Sequence, residues 1–154
     1  MKSAIQRNIN IGVHEDLSKN EEKLVKLLNY VCLIWYCVTI LFIVTDYFIV
    51  ANYLGVVIGY VFQVLLFILV QFLQSKRKYF AARILFVTFS HLLVFAFCNE
   101  IIPGEFVDLF YILTPLFGLM FFENRALHYT LLILAIISFM VPNYLWQNYD
   151  SSLF

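Results

Sequence analysis

The sequence predicts an all-α fold, a polytopic transmembrane helical bundle of about five spanning helices preceded by an amphipathic interfacial helix. Of the 154 residues, 63% are hydrophobic and 13% are charged, whereas soluble domains average roughly 45–50% apolar and about 25% charged residues. The mean hydropathy is +0.87. A small soluble chain has a high surface-to-volume ratio and could not cover so much apolar surface. We therefore expect a lipid bilayer to be its solvent.

The chain begins with a polar segment, residues 1–17, which we expect to be cytoplasmic or interfacial. An S-x-x-E capping box at Ser18 and Glu21 then predicts the start of an amphipathic entry helix over 18–30. Its apolar stripe consists of Leu24, Leu27, Leu28 and Val31. The lysines lie mostly off that stripe, where they can bind lipid headgroups, and they are Lys19, Lys23 and Lys26.

The transmembrane bundle is predicted over 31–147, followed by an external tail or truncated loop at 148–154. Five apolar segments lie at 31–50, 53–73, 79–98, 106–122 and 127–145. Each is close to the roughly 20 residues that a helix needs to cross the hydrocarbon core. Backbone polar groups in lipid must be satisfied within their own segment, which favours helices.

Basic residues predict how the bundle is oriented. Lys and Arg lie before the first segment, between the second and third, and between the fourth and fifth, but not in the opposite loops. Because short cytoplasmic loops carry an excess of Lys and Arg, we expect a multi-pass protein of the bacterial inner (plasma) membrane with a cytoplasmic N-terminus.

One ionisable residue, His91, lies well inside a predicted span. Intramembrane ionisable groups are costly and often functional, so His91 and its neighbour Ser90 are candidates for ligand or proton sensing. The alternative is a neutral histidine bonded to another helix, or locally to Ser90 or Thr88. A haem ligand is a further alternative, but no second ligand at matching depth is apparent.

A group of outer acidic residues forms the second candidate site. Glu100, Glu105 and Asp108 surround Pro103 and Gly104, and Asp46 could join them. Such a cluster could bind a cation or share protons, although solvated loop acids would give the same pattern.

Small residues and proline predict helix packing. Gly55 and Gly59 form a G-x-x-x-G pattern that allows close helix approach, and Gly118 could act in the same way. Pro115 is expected to kink the fourth helix. A homodimer or larger oligomer is therefore a hypothesis.

Several classes of function find no support in the sequence. Zero formal net charge gives no field to attract nucleic acid. No phosphate-binding loop, serine elbow or zinc-protease motif is present, and the cysteines lack metal-ligand spacing. We expect no catalytic residue, no metal and no cofactor, and membrane lipids as the main partners.

The stretches Asn10–Leu17, Glu21–Lys23 and Leu27–Asn29 resemble the start of polytopic membrane regions in bacterial signalling proteins. These regions precede sensor histidine kinase, LytTR-type or class III nucleotide cyclase domains. Phe110–Leu116 and Phe121–Glu123 are similar to their fourth helix. The resemblance implies a membrane anchor and sensory module, and any catalytic output domain would lie beyond Phe154. Such regions usually have six helices, whereas five are predicted here, so the chain is expected to be a truncated piece or a stand-alone relative.

The leading hypothesis is thus a membrane anchor and sensory input module that detects a lipid or an apolar ligand. The alternatives are a small transporter or channel subunit, which needs polar groups at mid-membrane, and an oligomeric membrane effector.

Overall fold

The structure is a computed structural model that describes residues 4–49, 53–96 and 111–148, with the backbone alone for Ile49 and 141–148. Its described parts contain helices and connecting turns but no strand, so the all-α prediction is confirmed. In chain order the helices are α1 (Ala4–Ile9), α2 (Lys19–Ile49), α3 (Tyr53–Ser75), α4 (Tyr79–Ala96), α5 (Leu113–Phe121) and α6 (Arg125–Asn148).

Three of these helices, α2, α3 and α4, are long and apolar enough to cross a membrane. Helix α5 has 9 residues in the structure, which corresponds to a length of about 13 Å and is too short to span hydrocarbon alone. Helix α6 has 24 residues, and its apolar portion within the searched residues is Arg125–Met140. The membrane character is therefore supported, whereas the five spans remain a prediction.

The entry helix and the first predicted span are one continuous helix. Ser18 lies at its N-terminus, where the Glu21 N–H donates to Ser18 Oγ at 3.2 Å and the Glu22 N–H donates to the Ser18 carbonyl at 2.9 Å. The first half of the predicted capping box is thus confirmed. The Glu21 carboxylate does not complete the box because it pairs with Arg83 on α4.

The buried face of α2 differs by one position from the predicted stripe. Val25, Leu28, Asn29 and Cys32 are buried, whereas Leu24, Leu27 and Val31 are only half-buried. The spacing is the helical i, i+3, i+4, i+7 in both cases. The shift arises because Asn29, a polar residue, is buried and donates hydrogen bonds to the Ile9 and Ile11 carbonyls. A hydropathy pattern cannot predict such bonds.

The chain divides into two compact units, Met1–Phe89 and Ser90–Phe154. In the first unit, the Phe67 ring on α3 contacts Tyr36 of α2 edge-on at 5.3 Å and Phe86 of α4 at 6.2 Å. Large apolar side chains point outward from α2 and α3, including Ile40, Phe48, Leu54 and Phe62. An outward apolar surface on long helices suits contact with hydrocarbon.

The second unit contains a tight α5–α6 hairpin. A Cβ added at Gly118 would lie 2.6 Å from Leu131 Cδ1, so the absence of a side chain lets α6 approach α5. The Ala126 N–H donates to Asn124 Oδ1 at 2.9 Å, which caps the start of α6.

Pro115 occupies the first turn of α5, since that helix begins at Leu113. The first four N–H groups of a helix have no partner within it, and a proline there removes no intrahelical bond. The kink expected at Pro115 inside a longer helix therefore has no counterpart in the described part of α5.

Candidate functional site

His91 is buried in the second unit, with 4% of its surface exposed. Its Nδ1 lies 2.9 Å from Thr114 Oγ1 of α5, and its Nε2 lies 2.9 Å from Ser138 Oγ of α6. The ring also contacts Tyr111 at a centroid distance of 5.8 Å. We call these four residues, His91, Tyr111, Thr114 and Ser138, the polar node. The node joins α4, α5 and α6 through one imidazole.

The hydrogen bonds of the polar node are chemically matched. A neutral imidazole has one donor and one acceptor nitrogen, and a hydroxyl can serve as either partner. One hydroxyl can therefore accept from the ring N–H while the other donates to the second nitrogen. This is the interhelical alternative considered for His91, although the partners are Thr114 and Ser138 rather than Ser90 or Thr88.

Metal binding is not supported by the arrangement. Among the residues that the structure describes, no group of three His, Cys, Asp or Glu side chains lies close enough to hold a metal ion. The partners of His91 are hydroxyl groups, which are weak ligands for transition metals.

The predicted outer acids cannot be placed, because Glu100, Glu105 and Asp108 lie outside the described residues. Ser90 is half-exposed beside His91. Asp46 is described, and its Oδ2 accepts a short hydrogen bond from the buried Tyr60 hydroxyl of α3. The C-terminal half of α2 and the N-terminal half of α3 are therefore joined by a carboxylate–phenol pair that the sequence did not predict.

The predicted packing glycines occupy different environments. Gly59 lies on the buried face of α3 together with Val56 and Tyr60, and Gly55 is half-buried. Gly118 makes the closest approach, against Leu131. Gly59 thus contributes to packing within the chain, and self-association through the same pattern remains a prediction.

The lysines expected to bind headgroups lie at the start of α2. Lys19 and Lys23 are exposed, whereas Lys26 is half-buried and pairs with Glu22 one turn earlier. Two of the three side chains are therefore accessible to anionic lipid.

A second polar region, which we call the basic end, comprises the start of α2, the α3–α4 turn and the start of α4. Residues 4–17, which we call the N-terminal strap, pack against it. The buried Asn29 amide donates to the Ile9 carbonyl at 2.9 Å and to the Ile11 carbonyl at 2.8 Å. Gln71 Nε2 of α3 donates to Asn8 Oδ1 at 3.1 Å.

At Gly12 the backbone of the strap passes close to the end of α3. The φ of Gly12 is +78°, and a Cβ there would lie 2.7 Å from the Gln74 carbonyl oxygen. The Gly12 carbonyl accepts a hydrogen bond from the Tyr79 hydroxyl at 3.0 Å. Both the backbone conformation and the lack of space require glycine at this position.

The α3–α4 turn is a Schellman-type helix end built with arginine. The Arg77 N–H donates to the Gln74 carbonyl at 2.9 Å, and the Lys78 N–H donates to the Leu73 carbonyl at 2.9 Å. Arg77 has a φ of +61°, where glycine is usual. Its guanidinium pairs with Asp16 of the strap at 2.7 Å. An arginine in this conformation is strained. The conformation places its guanidinium next to the carboxylate of Asp16 in the strap.

Several buried polar atoms at the basic end have no hydrogen-bond partner in the described part of the chain. They are Asn29 Oδ1, both amide atoms of Gln74, the Arg83 Nε and the His14 Nε2. Gln74 is 1% exposed and Arg83 is 5% exposed. Unpaired buried groups are costly, so this interface contrasts with the matched polar node.

No family model, curated protein or solved structure matches this chain. The resemblance to membrane regions of signalling proteins therefore stays an expectation from the sequence.

His91 and the lysines at the start of α2 were predicted from the sequence, whereas the buried amide side chains next to the strap were not. On α2, Asn29 shares a buried stripe with Cys32, and on α3, Gln71 and Gln74 share one with Phe67 and Val70. A polar residue on an apolar stripe is a usable signal of buried polar contacts. The glycine in Asn10-Ile11-Gly12-Val13 was a second signal, since glycine often marks positive φ or a close backbone approach.

Proposed function

We propose that the chain is a membrane anchor and sensory input module of a bacterial signalling protein, in the inner membrane with the basic end in the cytoplasm. The main support is the distribution of polar groups. Long helices present apolar side chains outward, while His91 and Asp46 bond to partners inside the units. Such helices can lie stably in lipid, and five of them would complete the proposed bundle.

The proposed input is a lipid or an apolar ligand with a hydrogen-bonding group. The polar node would take such a ligand if its hydrogen-bonding group replaced Thr114 or Ser138 as a partner of His91. Aromatic rings accompany the imidazole, since Tyr111 contacts His91 and Phe139 contacts Tyr111 at 6.3 Å. Apolar surroundings with few polar groups are typical of small-molecule sites. We expect the chain itself to perform no catalysis.

Ligand retention tests the proposal. The full chain is purified in nanodiscs of synthetic phosphatidylcholine and examined by native mass spectrometry for a co-purified apolar molecule. We expect a defined adduct that is lost in His91→Ala and kept in Leu92→Ala, because Leu92 is exposed on the same helix. A wild-type protein that carries no adduct beyond the supplied lipid would contradict ligand sensing.

Orientation is tested separately with a membrane-impermeant maleimide. In a background with Cys37→Ser, the exposed position Lys19 is changed to cysteine. We expect labelling in inverted inner-membrane vesicles and none in intact spheroplasts, with each labelled peptide identified by mass spectrometry. The reverse pattern would overturn the proposed topology.

A small transporter or channel subunit is the second candidate, and one observation favours it. Thr114, His91 and Ser138 form a hydroxyl–imidazole–hydroxyl line across helices, and such a line could relay protons. Proton flux in proteoliposomes that is lost in His91→Ala would favour transport over sensing, and no flux would count against it. An oligomeric effector would instead require cross-linking of copies within native membranes.

A further inference from the structure

The N-terminal strap is attached mainly by polar contacts. Of residues 4–17, all of which the structure describes, Ile9 is the only apolar residue that is fully buried; Ile11, Val13 and Leu17 are half-buried, and Ile5 is 58% exposed. Burial of apolar surface is the main source of stability between packed segments. Because only one apolar side chain of the strap is fully buried, hydrogen bonds to the helices and one exposed ion pair supply much of its attachment.

The attachment points come from different helices of the first unit. Asn29 belongs to α2, Gln71 to α3 and Tyr79 to α4. By contrast, the hydrogen bonds between backbone groups of the strap itself are local, such as Asn10 N–H to the Gln6 carbonyl and Val13 N–H to the Asn10 carbonyl. The strap can therefore separate from the helices without breaking its own turns.

Docking of the strap also leaves buried polar atoms without hydrogen-bond partners, and release would remove this energetic penalty. Gln74 and Asn29 have polar atoms without a partner while the strap is docked, and these atoms would gain water on release. Release would also separate the Arg77–Asp16 pair, which is exposed and contributes little to stability.

We propose that the N-terminal strap is a reversible latch. It docks over the basic end through Gly12 and is released as a unit to expose Asn29 and Gln74, while the helices below stay folded. Within the proposed sensory module, on which this role rests, the latch is the part that moves. Its docking can be measured without any ligand or output.

Hydrogen–deuterium exchange of the full chain in phosphatidylcholine nanodiscs tests the latch. In the wild-type protein we expect residues 4–17 to exchange at least about tenfold faster than the core of α2 around Leu28, as local opening predicts. Gly12→Ala should accelerate exchange in 4–17 by at least about tenfold more, because a Cβ cannot fit against Gln74. Exchange in the middle of α2 and α3 should not change.

Two further variants complete the design. Tyr79→Phe keeps the ring but removes the hydroxyl that binds the Gly12 carbonyl, and it should raise the same rates about threefold. Glu15→Ala changes an exposed strap residue and should leave the rates at the wild-type level.

Three results would overturn the latch. In the first, the strap of the wild-type protein exchanges as slowly as the α2 core, which would make it a fixed part of the fold. In the second, both Gly12→Ala and Tyr79→Phe exchange like the wild type. In the third, Gly12→Ala also removes protection from the middle of α3. Ligand retention and orientation are independent measurements, so failure of the latch leaves them standing, and their failure leaves the latch to be judged on exchange alone.

Discussion

The polar node and the basic end both bury polar side chains, but they satisfy them differently. At the node, each nitrogen of His91 has a hydroxyl partner at 2.9 Å. At the basic end, Gln74 is as buried as His91, yet neither of its amide atoms has a partner in the described part of the chain. A network whose buried polar groups are all hydrogen-bonded favours a single conformation, whereas a network with unpaired groups opposes local rearrangement less.

This difference separates a fixed region from a movable one. The hydrogen bonds of the node are already satisfied within the second unit, so opening the node would bring it no better partners. The basic end is covered by a segment that contributes one buried apolar residue, Ile9. We therefore expect substitutions at the node to lower global stability, and substitutions at the basic end to alter local exposure.

The largest effect is expected from His91→Ala, which removes the central side chain of the polar node. The free energy of unfolding should fall by about 3 kcal/mol, because packing of a buried ring is lost and hydroxyls lose their partner. Unfolding by sodium dodecyl sulfate in mixed micelles, followed by far-ultraviolet circular dichroism, measures the loss. Leu92→Ala is the control, with an expected change below about 1 kcal/mol. Equal losses in the two variants would break the comparison between the regions.

Gly118→Ala should cost about 2 kcal/mol, because its Cβ would meet Leu131 Cδ1 in the hairpin that supports the node. Leu131→Ala alone creates a cavity and should also destabilise the protein. The double variant should recover about 1 kcal/mol relative to the sum, since the new methyl group fills the vacated space. The same unfolding assay completes the double-mutant cycle. Strictly additive losses would show that the α5–α6 contact is looser than described.

Thr114→Val sharpens the comparison by removing one hydroxyl of the node with little change of shape. We expect a loss of about 1 kcal/mol, which is within the range measured for interhelical hydrogen bonds in membranes. Thr130→Val is the matched control, because the exposed Thr130 hydroxyl donates only to the Ala126 carbonyl of its own helix. A control as destabilised as Thr114→Val would remove the special role of the node.

The smallest effect is expected at the basic end, and it has the opposite sign. Arg77→Gly relieves the positive φ but loses the exposed pair with Asp16. Because relief of about 1 kcal/mol exceeds the value of an exposed pair, roughly 0.5 kcal/mol or less, stability should rise slightly. Asp16→Asn removes the pair alone and should give a small loss. A clear destabilisation by Arg77→Gly would mean that the turn depends on the arginine side chain.

Much of the fold was predictable because hydrocarbon imposes simple rules on sequence. The apolar segments starting at 53 and 79 coincide with α3 and α4, and Ser18 begins α2 as the capping box indicated. The α5 boundary was not predictable in the same way, because Leu113 continues an apolar run that carries no start signal. The acidic cluster around Glu105 lies outside the described residues.

The candidate sites were predictable only in part. A lone polar residue in an apolar run, His91, was visible in the sequence, but its partners Thr114 and Ser138 are 23 and 47 positions away. The strap was missed for the same reason, because Gln71 and Asn8 are 63 positions apart. Local sequence patterns report helix propensity and hydropathy. Which distant side chains form hydrogen bonds depends instead on how the helices pack.

The length of α2 has a mechanical consequence. Its 31 residues correspond to about 46 Å, some 16 Å more than the hydrocarbon thickness. A continuous rod of this kind must either tilt or protrude as bilayer thickness changes. Glu21 and Asn29, which contact α4 and the strap, lie near one end of the rod, and Asp46 lies near the other. A change in membrane thickness would therefore be transmitted along α2 as a displacement of its charged end.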